Sequence, residues 1–452
     1  MGIGVLSLGL ASCSEARAPL PGPEHLFLIT VDTLRADHVG FLGYPDQTTP
    51  FLSRLAEESA VFENAFSSAS HTTPSHASLF TSLYPDQHGA VQNGTRIAKG
   101  NLTMASAMQE RGYRTAGFTS VGFLTSLRTG FDHFDAHDPA KGVFRPAHET
   151  FARAAEWLAD QGPEQPTFLW IHLFDVHEWD KPQPMEDAWL GQLRVQTGIE
   201  PAQRRDFFRE QHGLQDGFLE AEGELQRVMD SYDRRILYVD QETERFYAAV
   251  AAMGAGADAL WVLTADHGEG LYTHGYEGHG RHLYKEQLHV PLLIHSSDGL
   301  AAGQRFSNLV RHVDLLPTLA ELVGQPLPPL RGRSLVSLLQ GGEPEPPELS
   351  AYAQRRPITP ELLADGWSPG ELRVVYDLKH KFIYRSEEEG EFYDLKADPL
   401  ELNNLYPSGP QALQDWQQRL NEYWNPADGP SLESDDVSED TKDELRALGY
   451  TE

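Results

Sequence analysis

The run His25-Leu-Phe-Leu-Ile-Thr-Val31 is apolar almost throughout and stops at a carboxylate, Asp32. It is far too short to span a membrane and lacks the alternation of a half-exposed strand, so it reads as a parallel strand buried on both faces. A strand of that kind needs helices on both sides of its sheet, and the chain must supply them between further apolar runs. Thr167–Phe174, Ala259–Thr264 and Pro291–His295 repeat the pattern, and Thr115–Thr119 is a shorter strand. Leu52, Leu55 and Ala56 fall on one face of a helix over 50–59, and a second helix over 101–111 is closed by Gly112. The expected fold is α/β, with a central, mostly parallel sheet flanked by helices over about 24–342. Residues 178–230 are charged and poor in strand patterns, which predicts a helical insertion. The stretch Glu343-Pro-Glu-Pro-Pro347 reads as a linker. Beyond it, Leu372–Tyr376, Lys381–Tyr384 and Glu391–Tyr393 predict a small antiparallel sheet, followed by a helix over Gln411–Tyr423. These make a smaller α+β domain over 343–430, with residues 431–452 expected as an acidic tail.

Charge narrows the partners. Lys plus Arg against Asp plus Glu gives 36 − 67 = −31, a body that repels a phosphate backbone and excludes general nucleic-acid binding. An anionic small molecule would also be repelled at long range, so an anion site needs strong local positive charge. One Cys excludes an internal disulfide and a thiolate metal cluster. That residue ends the segment Leu10-Ala11-Ser12-Cys13, which resembles a bacterial lipobox and predicts lipidation of Cys13 and a place in the cell envelope. No Lys or Arg precedes the apolar run, so another secretory signal is the alternative. Residues 1–23 are then signal and tether, and contact with a membrane is expected only through that anchor.

Three segments place ionisable residues after strands or at a helix start: Thr30-Val-Asp32-Thr33, Thr264-Ala-Asp266-His267-Gly-Glu269, and His71-Thr72-Thr73-Pro74-Ser75-His76. Open α/β sheets bind ligands at the carboxyl ends of their strands. A single Asp there is more often a turn or capping residue than a ligand. Asp-His after a second strand changes the balance, because carboxylate and neutral imidazole together suit a divalent cation. Thr72 precedes a Pro-initiated helix, where free backbone N–H groups favour an anion; taken alone it is more often a simple N-cap.

Together the segments resemble the sulfatase family of the alkaline-phosphatase superfamily. The resemblance rests on Thr72-Thr-Pro-Ser-His-Ala-Ser-Leu-Phe-Thr-Ser-Leu-Tyr-Pro85 with His88-Gly89, on Val31-Asp32-Thr-Leu-Arg35, and on His172-Leu-Phe-Asp-Val-His177. Thr264–Glu269, Leu283-Tyr284, Arg311–Thr318, Glu391–Pro399 and Leu445-Arg-Ala-Leu-Gly-Tyr450 extend it across nearly all of 25–452. It implies an alkaline-phosphatase-like fold and a metal-dependent hydrolase of anionic esters. Residue by residue, it implies Asp32, Asp266, His267 and the Thr72 hydroxyl as ligands of one divalent ion. His177 and His279 are implied to grip ester oxygens or protonate the leaving group. Asn93, in Val91-Gln-Asn93-Gly94, and His76 are implied to meet the bound anion; His71, His274 and His282 are weaker candidates.

The departures from the family bear on mechanism. Family sulfatases carry Cys or Ser at the position of Thr72, followed by x-Pro-x-Arg, and oxidise it to formylglycine. Here Thr72 and His76 take those places, and oxidising a Thr would give a ketone, so no formylglycine is expected. What remains is a metal-activated Thr hydroxyl, as in the phosphodiesterase and phosphoethanolamine-transferase branches. Many sulfatases present two consecutive Asp after the first strand and suit Ca²⁺. Thr33 replaces the second, which tilts the site toward Mn²⁺ or Zn²⁺ with Ca²⁺ as the alternative. A second ion through Asp175 and neighbouring His residues is not expected. The favoured reading is hydrolysis of phosphate mono- or diesters, the substrate being a small anionic ester or one linked to a glycan or lipid. Its rivals are a sulfuric-ester hydrolase, a head-group phosphotransferase and a non-catalytic binding lipoprotein.

Overall fold

The structure, a computed structural model, describes residues 22–452 apart from 163–164, 181–192, 201–202, 214–221, 257, 343–348, 359–368, 407–409, 424–436, 449 and 451–452. The lipobox at Cys13, the linker at 343–347 and parts of the 178–230 insertion lie outside the described residues. Eight strands form the main sheet. In spatial order they are β4 (His133–Ala136), β3 (Arg114–Thr119), β5 (Thr167–Leu173), β1 (His25–Val31), β6 (Ala259–Ala265), β7 (His289–Ser296), β2 (Ala60–Phe66) and β8 (Arg305–Arg311). All pairings are parallel except those of β7, which runs antiparallel to both neighbours.

Every residue of β1, β5 and β6 is buried, as the unbroken apolar runs require. Phe27 packs against Trp261 with ring centroids 4.3 Å apart, and Phe80 meets Trp170 edge-on at 4.7 Å. Burial of each such side chain stabilises the fold by about 1.5–3 kcal/mol. Trp170 lies on β5, whereas Phe80 belongs to the helix Thr72–Thr81. The packing therefore presses that helix onto the sheet directly behind the strand ends.

Register settles where the strand-end residues emerge. Thr30 stands opposite both His172 and Thr264, and Val31 opposite Leu173 and Ala265. One residue further on, Asp32 and Asp266 leave neighbouring parallel strands side by side, as the strand-end reading of the sequence expects.

The C-terminal part forms a four-stranded antiparallel sheet in the order β12 (Glu391–Asp394), β11 (His380–Arg385), β10 (Gly370–Tyr376), β9 (Ala351–Ile358). The two-residue period of β10 divides its faces. Leu372, Val374 and Tyr376 share a core with Phe66, Leu288 and Leu309 from the larger part. Val375 faces the other way, into a cluster with Phe382, Trp416 and Leu420 under the helix Pro410–Tyr423. The small sheet is thus packed on both sides.

Within the insertion, the described residues include the helix Arg204–His212 and the first part of the long helix Glu222–Ala252, in line with the helical expectation. The end of the chain departs from the expected tail. Residues Glu439–Ala447 form a helix capped by Ser438, whose hydroxyl accepts from the Thr441 N–H at 3.3 Å. Its acidic residues dominate the composition, but Leu445 and Leu448 are buried in the main core and Glu444 accepts from the Gly122 N–H. An apolar stripe on one face outweighs the overall charge.

His274 provides a pH-dependent link between the two parts. Its Nδ1 lies 2.9 Å from Glu286 Oε1, its Nε2 lies 2.8 Å from the Glu401 carbonyl, and its ring stacks on Tyr284 at 3.9 Å. Burial opposes the charged ring, but the Glu286 carboxylate outweighs it and raises His274 from 6.5 to about 9. A raised folded-state pKa gives stability that is whole below the unfolded value and lost as pH rises through the folded one. The melting temperature is therefore expected to fall between about pH 6.5 and pH 9, and His274→Gln to remove that part of the fall. Parallel melting curves for the two proteins across this range would show that the pair does not contribute.

Candidate active site

Asp32 and Asp266 are fully buried at the ends of β1 and β6. Asp266 Oδ1 accepts from the backbone N–H of His267 at 2.8 Å and of Thr33 at 3.2 Å. Its Oδ2, and Oδ1 of Asp32, are buried without a hydrogen-bond partner. His267 Nε2 stands 3.4 Å from the first of these oxygens and 4.0 Å from the second. The other nitrogen, Nδ1, lies 3.0 Å from the Gly268 carbonyl, a contact that needs the proton on Nδ1 and leaves the Nε2 lone pair facing the carboxylates. One ligand atom from each of Asp32, Asp266 and His267 falls within 4.8 Å of the others. Two unpartnered carboxylate oxygens beside an imidazole lone pair are costly in a buried site and match the donor set of a divalent cation.

The backbone around Asp32 is held in an unfavourable form. Thr33, a β-branched residue, has φ +58°, in the left-handed region that such residues avoid. Its N–H is held by Asp266, its hydroxyl donates to the Asp32 carbonyl at 2.7 Å, and its own carbonyl accepts from the Tyr232 hydroxyl at 2.6 Å. A conformation of this kind costs about 1–3 kcal/mol and persists because several partners over-determine it.

Thr72 opens the helix Thr72–Thr81 and is fully buried. Its hydroxyl donates to Asp32 Oδ2 at 3.3 Å and lies 3.4 Å from His267 Nε2. Ser75, one turn on, ties this helix to β6 by donating to the Asp266 carbonyl at 2.6 Å. The expected free N–H groups at the helix start are mostly absent. Thr73 donates its N–H to Asn93 Oδ1 at 2.9 Å, Pro74 has none, and Ser75 N–H bonds the His71 carbonyl. Asn93 Nδ2 is left buried without a partner beside this turn, a donor suited to an anion.

His76 differs from the expectation of an anion contact. It is fully buried, with Nδ1 2.8 Å from the Thr72 carbonyl and Nε2 2.9 Å from Thr30 Oγ1. Both ring nitrogens are engaged by protein, so His76 fixes the turn that carries Thr72. Burial dominates its titration and lowers it to about 4, which keeps the ring neutral. His76, His172 and Asp266 also bring ligand atoms within 4.8 Å, but His76 has no nitrogen to spare. Asp175 belongs to neither such group among the described residues.

His172 is a site residue that the sequence reading left without a role. Its Nε2 lies 3.2 Å from Asp32 Oδ2. Burial would raise the Asp32 carboxyl, but the His172 hydrogen bond and the surrounding imidazoles outweigh it, and Asp32 sits below the usual carboxylate range. Its place follows from the pairing of Thr30 with His172 across β1 and β5, which neither segment states alone.

Across the site stand His177 and His279. Each turns Nδ1 to a carboxylate: His177 to Glu178 at 3.0 Å, His279 to Glu269 at 3.3 Å. Burial opposes charge on His279, but Glu269 more than compensates and raises it, while Glu269 itself is lowered to about 2. Both Nε2 atoms converge on one oxygen, the Tyr450 hydroxyl, at 2.9 Å from His177 and 3.1 Å from His279. The weaker candidates scatter. His71 is held well below 6.5 by burial and by His279, His282 is lowered to about 3, and His274 bonds the Glu401 carbonyl.

A family model described as Sulfatase matches residues 24–325. A multifunctional alkaline phosphatase superfamily protein of Trinickia caryophylli is 26% identical over 84% of this chain and 91% of its own length. An N-acetylglucosamine-6-O-sulfatase of Bacteroides thetaiotaomicron is 23% identical over 88% of this chain and 86% of its own length. Among solved structures, the phosphonate monoester hydrolase of Agrobacterium radiobacter superposes with a TM-score of 0.71 at 20% identity, covering 89% of this chain and 95% of that one.

Proposed function

We propose, from the premise that this chain belongs to the sulfatase family and is a hydrolase of anionic esters, that it cleaves phosphate mono- or diesters through a covalent Thr72 intermediate. The observation that carries this reading is the Thr72 hydroxyl, 3.3 Å from Asp32 and 3.4 Å from His267, beside two unpartnered carboxylate oxygens. Asp32, Asp266, His267 and Thr72 would hold the divalent ion, with Mn²⁺ or Zn²⁺ favoured over Ca²⁺. Such an ion, when bound, neutralises charge on the ester and lowers the pKa of the hydroxyl.

The chain's own residues then divide the work. Thr72 Oγ, its proton released to solvent, attacks phosphorus, forming a Thr–O–P bond as the ester P–O bond breaks. The leaving oxygen takes a proton from His279, whose charged form is favoured by Glu269. Water next cleaves the phospho-threonine, its oxygen bonding phosphorus as the Thr–O–P bond breaks and its protons restoring the Thr72 hydroxyl and His279, and phosphate or its monoester is released. Asn93 Nδ2 and His177 Nε2 are placed to bind the oxygens, and His76 and His172 hold Thr72 and Asp32 in position. Among the described residues no helix is long and apolar enough to cross a membrane, and the lipobox-like segment ending at Cys13 supports a place in the cell envelope.

Hydrolysis of sulfate esters is the second reading, favoured by the relatives whose names specify sulfatases. Parallel assay of p-nitrophenyl phosphate, bis-p-nitrophenyl phosphate and p-nitrophenyl sulfate with Mn²⁺, Zn²⁺ or Ca²⁺ separates the two. Phosphoester turnover is expected to exceed sulfate turnover by at least about tenfold, a barrier difference of roughly 1.4 kcal/mol. Dominant sulfate turnover would reverse the assignment.

A further inference from the structure

Tyr450 enters the site from the opposite end of the chain, and nothing in the proposed chemistry so far uses it. Its hydroxyl is the point on which His177 Nε2 and His279 Nε2 converge, and His279 in turn lies against the ring of His267 at 4.6 Å. The two groups assigned to proton delivery and oxygen binding thus meet a single phenolic oxygen.

The segment that delivers it is built into the fold. Leu445 and Leu448 are buried in the main core, and Glu444 is bonded to the Gly122 N–H. The Tyr450 N–H donates to the Leu445 carbonyl at 2.8 Å, which turns the chain back over the end of its helix. The Tyr450 ring lies edge-on to Phe123 at 6.2 Å. A side chain fixed by this many contacts is a resident of the site and not a frayed end passing through it.

We propose that Tyr450 is a further catalytic residue, its hydroxyl donating a hydrogen bond to an oxygen of the ester group held over Thr72. The proposal deepens the phosphoesterase reading and rests on it for the position of the ester. A phenol oxygen can accept an N–H from each imidazole, the donor role that both Nε2 atoms hold in the proposed chemistry, and still give its own proton, so the contacts to His177 and His279 do not exhaust it. A donor pre-positioned in a buried site acts on charge that grows on the ester oxygens and needs no rearrangement. It also adds a donor without a formal charge in a protein whose net charge of −31 works against anions.

The test is Tyr450→Phe in the full chain, which keeps the ring against Phe123 and removes only the hydroxyl. Inhibition by inorganic phosphate and the kcat/KM for p-nitrophenyl phosphate are measured with Mn²⁺ supplied, alongside the melting temperature. Phosphate inhibition is expected to weaken by about tenfold and kcat/KM to fall by roughly ten- to a hundredfold, with the melting temperature unchanged. Unaltered phosphate inhibition and turnover would overturn the proposal and leave Tyr450 a packing residue. Tighter inhibition or faster turnover would overturn it in favour of a side chain that blocks the site. Isothermal titration of phosphate into Thr72→Ala, with and without Tyr450→Phe, reads the same contact when no covalent step can occur. Failure of the Thr72 mechanism is thereby distinguishable from failure of the Tyr450 assignment.

Discussion

Thr72→Ala is expected to lose turnover by roughly three orders of magnitude or more while keeping its metal, because it removes the attacking atom and leaves the acidic pocket whole. The separation follows from geometry. The carboxylate oxygens without partners belong to Asp32 and Asp266, and neither depends on Thr72 for its place. Asp266 is held by the Thr33 and His267 N–H groups, and Asp32 continues a strand paired on both sides. Thr72→Ser should retain part of the rate, since a primary hydroxyl can occupy the same point. Mass spectrometry of the wild type, quenched during turnover of a phosphoester, should show added phosphoryl mass on the peptide containing Thr72. Near-normal turnover by Thr72→Ala would remove the mechanism.

The residues legible from sequence were those whose role follows from strand ends. Asp32, Asp266 and His267 follow continuous apolar runs, and a parallel register carries such residues to one edge of the sheet. β2 and β8 were missed for a physical reason. β2 carries Glu63 and Asn64 at its centre, where the register shifts against both neighbours, so the apolar pattern is broken at a bulge. β8, at the edge of the sheet, has an exposed face and reads as polar. The helix Ala147–Gln161 and the full length of Glu222–Ala252 were hidden by their charge, since a helix packed on one face needs only a stripe of apolar residues.

Site residues supplied by pairing or by distant chain were the harder class. His172 owes its place to the register of β5 against β1, a property of two strands that neither segment states alone. Tyr450 owes its place to Leu445 and Leu448, two buried residues within a stretch whose composition reads as a solvated tail. His76 occupies the position where family sulfatases carry Arg, and sequence correspondence suggested an anion contact. The structure instead directs both of its nitrogens to Thr72 and Thr30, a consequence of helix geometry that sets residue i+4 beneath residue i.

Asp266→Asn should have the complementary outcome, removing metal binding and activity together. The substitution keeps an oxygen able to accept from Thr33 and His267, so the local fold has little reason to change. What it removes is one of the two negative charges that face each other across the pocket. Without metal the wild type bears that repulsion in a buried setting, and the variant should melt at the same temperature or higher. With Mn²⁺ or Zn²⁺ at about a hundred times its dissociation constant, the wild type should gain roughly 2.7 kcal/mol of stability. Thr72→Ala should gain most of this, whereas Asp266→Asn should gain almost none. Differential scanning calorimetry with and without metal reads all three proteins, independently of any substrate. Equal metal-induced shifts in wild type and Asp266→Asn would mean that the cation binds elsewhere. The convergence of Asp32, Asp266 and His267 would then owe nothing to metal binding.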